Sequence, residues 1–247
     1  MRRRGALGQP RAVPPPAAPP VAGVDGCRGG WLVVTAPCHH GPPGPAEVVT
    51  DITVVLDRLR RGQLSAVAVD MPVGLVASGR RTCDDEARAR LGPRHSTVFP
   101  TPPRPLLDAP DHAEAVRRGR ALDGRGISIQ AFNLLGRMAE LDAAVRPDDC
   151  DRLVEAHPES GFATMAGAPL ASSKRTAAGR AERRALLARH LGAEDALAGP
   201  PPPGSGADDV LDAAANAWTA RRWLAGTALV LGDGSTDERG LPVRIVI

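Results

Sequence analysis

The sequence predicts an α/β fold, a mixed sheet flanked by helices. Three observations carry that expectation: short apolar runs that stop on an acid, amphipathic stretches between them, and a charged, proline-rich span that breaks their alternation. With 247 residues, 43% of them hydrophobic, the chain can build one core of enzyme size. Residues 1–20 combine arginine with proline and lack the apolar centre of a secretory signal, so they are expected to be disordered. A single domain is expected over residues 21–247, with the insertion at about residues 78–125.

In VAGVDGCRGGW, Val21 to Asp25 reads as a strand and Trp31 to Thr35 as its hairpin partner, with Gly26, Gly29 and Gly30 allowing the turn. Taken alone, Asp25-Gly26 is also an ordinary turn dipeptide. The next stretch, PCHHGPPGP, reads as a surface loop, because His39 and His40 have no third ligand near them in sequence. Glu47 to Thr50 forms a third strand, and Asp51 caps a helix whose Ile52, Val55, Leu56 and Leu59 share one face. Ala66 to Val69 is an unbroken apolar run, expected as a strand buried on both faces. Pro72 and Gly74 then turn the chain away, which places Asp70 on a crevice.

The insertion holds ten arginines against seven acids, a surplus suited either to a polyanion or to a solvated helical face. Thr82 with Asp85 resembles a capping box for a helix through Leu91, and Asp111 with Glu114 opens another. After Ser128 a helix is expected, with Ile129, Phe132, Leu135, Met138 and Leu141 as its core stripe and Gln130 and Asn133 off it. Leu153-Val154 is a short strand ending in Glu155. His157 and Glu159 follow at a helix start, where histidine is ordinarily structural and the acid suits the helix dipole. A further helix is expected to be capped by Ser172 or Ser173 and opened by Lys174, the only lysine among 31 basic residues. A cation there opposes the helix dipole, so a nearby carboxylate would rationalise it. After a proline-rich linker, Asp208 can cap a last helix, on which Asp209 and Asp212 share a face and repel each other unless a cation intervenes. Strands at Ala228 to Leu231 and Val243 to Ile247 end the sequence.

Net charge is +3 and the pI about 9.0, but Arg2, Arg3, Arg4 and Arg11 lie in the tail, and the rest of the chain carries −1. Nucleic-acid binding therefore cannot be argued from net charge. Cys27, Cys38, Cys83 and Cys150 lack paired metal spacing and are expected to be reduced thiols in a cytoplasmic protein. No apolar run reaches the roughly 18 residues of a membrane span, so no membrane partner is expected.

Asp25, Asp70 and Glu155 each end a β-like run, and Asp209 and Asp212 open a late helix. Clustered carboxylates stay ionised only beside cations, and hard oxygen donors without a thiolate or imidazole cage suit Mg²⁺ or Mn²⁺. The motifs GVDGCRGGW, AVDMPVGL, RRTCDDEAR, RHSTVF, GISIQAFN, EAHPESGF, SSKRTAAGR and DDVLDA together resemble the predicted nuclease family catalogued as domain of unknown function 429. That resemblance implies a ribonuclease H-like fold, distantly similar to Holliday-junction resolvases, with acids on the first strand, the fourth strand, a later motif and the last helix. It places Asp25, Asp70, Glu155, Asp209 and Asp212 at those positions, although EAHPE departs from the wording of the best-studied resolvase relatives. The implied activity is hydrolysis of phosphodiester bonds in DNA or RNA by a two-metal carboxylate mechanism, with Asp25 bridging the ions. Arg94, Ser96 and Lys174 are then candidates for holding a substrate phosphate. The rival readings are a phosphotransferase or ATPase of the actin and sugar-kinase type acting on a small molecule, and a non-catalytic binding protein.

Overall fold

The first apolar run becomes β1 (Val21–Cys27), which turns back through Gly30 at φ +137° into β2 (Gly30–Ala36). These elements come from a computed structural model that describes residues 18–193 and 197–247, so the tail lies outside the described residues up to position 17. β2 pairs antiparallel with β1 and with β3 (Glu47–Val49), while β4 (Val67–Val69) and β5 (Leu153–Glu155) join parallel to β1 in turn. The result is a five-stranded mixed sheet of order β3-β2-β1-β4-β5 in which only β2 runs against the others.

Side-chain alternation splits the core between the two faces. Ala22, Val24, Trp31, Val33, Val67, Val69 and Leu153 pack on one side with α1 (Ile52–Arg60) and α4 (Ile129–Ala144). Val21, Leu32, Val34, Ala66, Ala68 and Val154 pack on the other with α5 (Pro158–Ala166), α6 (Ala177–Leu191) and α7 (Ala207–Leu224). Between β4 and α4 the chain runs through α2 (Thr82–Leu91), a proline-rich segment and α3 (His112–Asp123). A separate two-stranded sheet, β6 (Val230–Leu231) with β7 (Ile245–Val246), touches the β5 end through a bridge from Val246 to Ala156.

Helix α7 is buried along most of its length, and it comes closest to the sheet at Gly23. A Cβ there would overlap the Ala213 carbonyl and the Ala217 amide. Asn216 fixes the same contact by donating to the Val24 carbonyl at 2.9 Å. Strand β1 and helix α7 therefore lie backbone to backbone just below Asp25.

Several expected caps move. Asp51, Asp111 and Ser128 accept from the Thr53, Glu114 and Ala131 amides as expected. Thr82 is the first residue of α2 rather than its cap, and its hydroxyl donates to Asp233 at 2.8 Å. Helix α6 is capped by Thr176, so Ser172, Ser173 and Lys174 all precede it in a loop. Gly206 rather than Asp208 occupies the cap of α7, with Asp209 accepting from the Gly206 amide at 2.8 Å. On α4, Leu135, Met138 and Leu141 are buried, but Ile129 is exposed, because the first turn projects past the layer it packs on.

Candidate functional site

The parallel register sets Val24, Val69 and Glu155 in one row across the sheet, and Asp25, Asp70 and Ala156 in the next. Neighbouring residues of a strand point to opposite faces. Asp25 follows the parity of Val21 and Gly23, and Asp70 that of Ala66 and Ala68, so both carboxylates turn toward α7. Glu155 follows the parity of Leu153 and turns to the other face. Asp212, on the second turn of α7, is 3% exposed and completes the acid group on the Asp25 side.

These acids act on one another. Burial pushes the Asp25 carboxyl well above the usual carboxylate range, with Asp70, Asp212 and Asp209 raising it further and Lys174 opposing. Asp70 is pushed up to about 7, by burial and then by Asp212, again with Lys174 opposing. Burial also raises Asp212, against the attraction of Lys174. The Lys174 ammonium is ion-paired with Asp212. Burial works against that ammonium, yet Asp212, with Asp70 and Asp25 behind it, holds its pKa above the ordinary lysine value. The carboxylate that the sequence required near Lys174 is thus Asp212, although no helix begins at that lysine.

Glu155 lines the same cavity as Asp25 and Asp70 and raises the Asp70 pKa, but its carboxylate is engaged by a cation. It accepts from Arg81 Nη1 at 2.8 Å and from the Val73 amide at 3.0 Å, and Arg81 also holds Asp84 through Nε at 3.1 Å. Arg81 is 1% exposed, so this is a buried charge network and Glu155 is neutralised within it. Asp209 lies within electrostatic reach of Asp25 while its Oδ2 is spent on the Gly206 amide. Arg94 donates to Glu159 at 3.1 Å and to the Ser172 carbonyl at 3.2 Å, and Glu159 is also held by Arg183. Ser96 is exposed beside it. Of the residues expected to hold phosphate, only Lys174 touches the acid group.

A cavity of about 120 Å³ opens over Asp25 and Asp70. Met71, Pro72, Val98, Phe99 and Leu134 give it apolar walls, Arg81, Asp84 and Glu155 also line it, and the segment holding Thr97 and Thr101 reaches it from between α2 and α3. The Thr101 amide donates to Asp84 at 2.8 Å, which ties that segment to the Arg81 network. His157 also lines the cavity; its Nδ1 accepts from the Ser160 amide at 3.2 Å, so Nε2 carries the proton toward the Thr97 carbonyl at 3.3 Å. Burial lowers its pKa, and the ring is a neutral helix cap, the structural role expected for it. Sequence reasoning did not find Arg81 or Asp84. Their signal was an arginine set just before three consecutive acid positions, hidden by the general arginine excess.

Asp25 and Asp212, both buried, and the half-buried Asp70 offer oxygen donors whose repulsion the Lys174 ammonium balances only in part. Among the described residues no group of three or more aspartate, glutamate, histidine or cysteine side chains is arranged so that it could hold a metal ion. An ion bound here would rest on at most two protein carboxylates and keep several waters, which is the habit of Mg²⁺. All four cysteines are free thiols. Among the described residues no helix is long and apolar enough to cross a membrane.

The fold and site thus define a mixed α/β protein with an acidic, partly roofed centre at the ends of β1 and β4. Residues 23–237 match the family described as protein of unknown function DUF429, and the chain belongs to that family. No curated protein and no solved structure gives a significant match.

Proposed function

We propose that this protein is a divalent-metal-dependent nuclease of ribonuclease H-like fold, whose carboxylate centre is Asp25, Asp70 and Asp212, with Asp209 at its rim. The observation that carries the reading is the gathering of three mutually repelling carboxylates, Asp25 of β1 and Asp212 of α7 buried and Asp70 after β4 half-buried, with the Lys174 ammonium on Asp212. The mixed sheet, with its first-strand acid and helices on both faces, supports the same reading.

Two of the carboxylates Asp25, Asp70 and Asp212 would hold the ion, Mg²⁺ or Mn²⁺, which when bound supplies an activated water and stabilises the leaving oxygen. The chain's own contribution is placement. Gly23 and Asn216 hold α7 against β1, so that Asp25 and Asp212 keep their relative position. Apolar walls and the insertion exclude bulk water above the acids, which strengthens every charge interaction there. Lys174 supplies a cation for a phosphate oxygen, and Arg94 lies farther out, engaged by Glu159. Glu155 acts through Arg81 as a support of the cavity floor rather than as a ligand.

The test is metal-dependent cleavage of a panel of DNA and RNA substrates by the parent protein and by Asp25→Asn. Loss of a residue behind a metal ligand typically costs 10- to 100-fold, so loss of a ligand should cost at least about a hundredfold. Equal activity in both proteins would sink the mechanism. A second reading, phosphoryl transfer on a small molecule, is favoured by the small, roofed cavity. Metal-dependent hydrolysis of a nucleotide with no cleavage of either polymer would select it, and failure to bind Mn²⁺ at millimolar concentration would select a non-catalytic binding protein.

A further inference from the structure

The first hairpin carries one exposed side chain. From Val21 to Ala36 every residue is buried or half-buried except Arg28, which with Gly29 forms the two-residue turn between the paired Cys27 and Gly30. Strand β1 runs two residues past Asp25, whereas β4 stops at Val69, just before Asp70, so the turn overhangs the row of acids. It is held from two sides. The Gly29 amide donates to the Gly204 carbonyl at 2.8 Å, in the loop before α7, and the Cys27 carbonyl accepts from Arg137 of α4 at 3.3 Å. The first of these contacts is close enough to need glycine: Gly204 has φ +86°, and a Cβ there would lie 2.9 Å from the Gly29 Cα. A turn clamped in this way presents Arg28 from a fixed backbone.

The other cations around the acids are already engaged. Lys174 is paired with Asp212, Arg94 with Glu159, Arg81 with Asp84 and Glu155, and Arg137 with Glu140. Arg28 has no carboxylate partner among the described residues, and it stands three residues beyond Asp25, about 10 Å of strand. We propose that Arg28 is a strand-binding residue: its guanidinium takes a backbone phosphate of a nucleic-acid strand, next to the phosphate that lies over Asp25 and Asp70. The proposal rests on the nuclease reading for the strand it receives, but it needs no particular set of metal ligands. A guanidinium suits the task, because its planar fork makes two parallel hydrogen bonds to phosphate oxygens and its charge is permanent. Such a contact positions the strand and reads no sequence.

The experiment is fluorescence anisotropy of labelled single-stranded DNA and RNA oligonucleotides with the full chain, repeated over a range of salt concentrations. Asp25→Asn is the background, so that the strand is not cut, and Arg28→Gln, Arg28→Lys and Arg120→Gln are added to it, with thermal melts to confirm folding. Arg120 of α3 is also exposed and without a carboxylate partner among the described residues, so its variant reports the effect of net charge alone. Arg28→Gln should lower the slope of log affinity against log salt by about 0.7, the value of one phosphate contact on a single strand, or about fivefold in affinity at about 0.1 M salt. The loss should be alike across sequences. Arg28→Lys should keep the slope, and Arg120→Gln should leave it unchanged. An unchanged slope in Arg28→Gln, or an equal fall in Arg120→Gln, overturns the role of Arg28; metal-dependent cleavage by the protein with Asp25 intact then leaves the nuclease standing. A lower slope in Arg28→Gln with no cleavage by the protein with Asp25 intact supports the contact and removes the nuclease. Absence of binding to either oligonucleotide overturns the role of Arg28, whether or not a nucleoside triphosphate binds.

Discussion

At the scale of single residues, the site is governed by how few charges balance its acids. Asp70 carries the clearest consequence, because its carboxyl is pushed up to about 7, chiefly by burial. The unfolded chain releases that proton near the ordinary value of about 3.9. Between those two pH values the folded state binds more protons than the unfolded one, so this residue's contribution to stability falls as pH rises through the window and levels off above about 7. Asp70→Asn should accordingly raise the melting midpoint at pH 8 by at least about 2 °C, and change it little near pH 4. A calorimetric comparison of the two proteins at both pH values checks this, and equal midpoints at pH 8 would contradict it. Protons also compete with metal at the same carboxylate, so Mn²⁺ affinity is expected to fall as pH is lowered through about 7.

At the scale of elements, the decisive contact is α7 on β1. Gly23 is required by space: any side chain meets the backbone of α7. Gly23→Ala should cost about 1–3 kcal/mol, the usual penalty of overpacking, and should weaken Mn²⁺ binding by moving Asp212 away from Asp25. Urea unfolding and Mn²⁺ titration read the two effects separately; a variant of parental stability would show that the helix sits farther from the strand.

Most elements were legible in the sequence because their signals are local. The Asp51 cap and the buried stripe of Ile52, Val55, Leu56 and Leu59 lie within nine residues. The glycine hairpin and the apolar β4 run were equally self-contained. Thr82 was misjudged as a cap because its hydroxyl is taken by Asp233, 151 residues away. The pairing of Glu155 with Arg81 was hidden for a different reason. β4 and β5 are apolar on both faces, so their pattern carries no parity, and only the observed register tells which acid turns toward α7.

At the scale of the whole molecule, the segment between β4 and α4 is joined to the sheet through charge. Arg81 bonds Glu155 from β5, the Gly74 carbonyl after β4, and Asp84, which in turn holds Thr101 above the cavity. Removing one partner of a buried charge network leaves the others unpaired, so Arg81→Ala is expected to cost about 3–5 kcal/mol. The same change made in a Glu155→Ala, Asp84→Ala background should cost much less, and urea unfolding of the four proteins measures that difference. Additive costs would mean that Arg81 stabilises the protein without tying these parts together. Asp237 performs a similar task nearby, accepting from the Leu75 amide at 3.0 Å while bonded to Arg104 between α2 and α3.

The contact between Gly23 and Ala213 also orders events during synthesis. Strand β1 leaves the ribosome long before the helix that covers one of its faces, which is specified only by residues 207–224. Until that segment emerges, Leu32, Val34, Ala66 and Ala68 lack their principal cover, and the nascent sheet presents an apolar face to the surrounding solution. Folding of this sheet is therefore expected to wait for residues 207–224, with a need for protection of the half-built sheet until they emerge. Chains halted before residue 207 should be captured by holdase chaperones and digested rapidly by protease, whereas chains halted with α7 fully emerged should resist both.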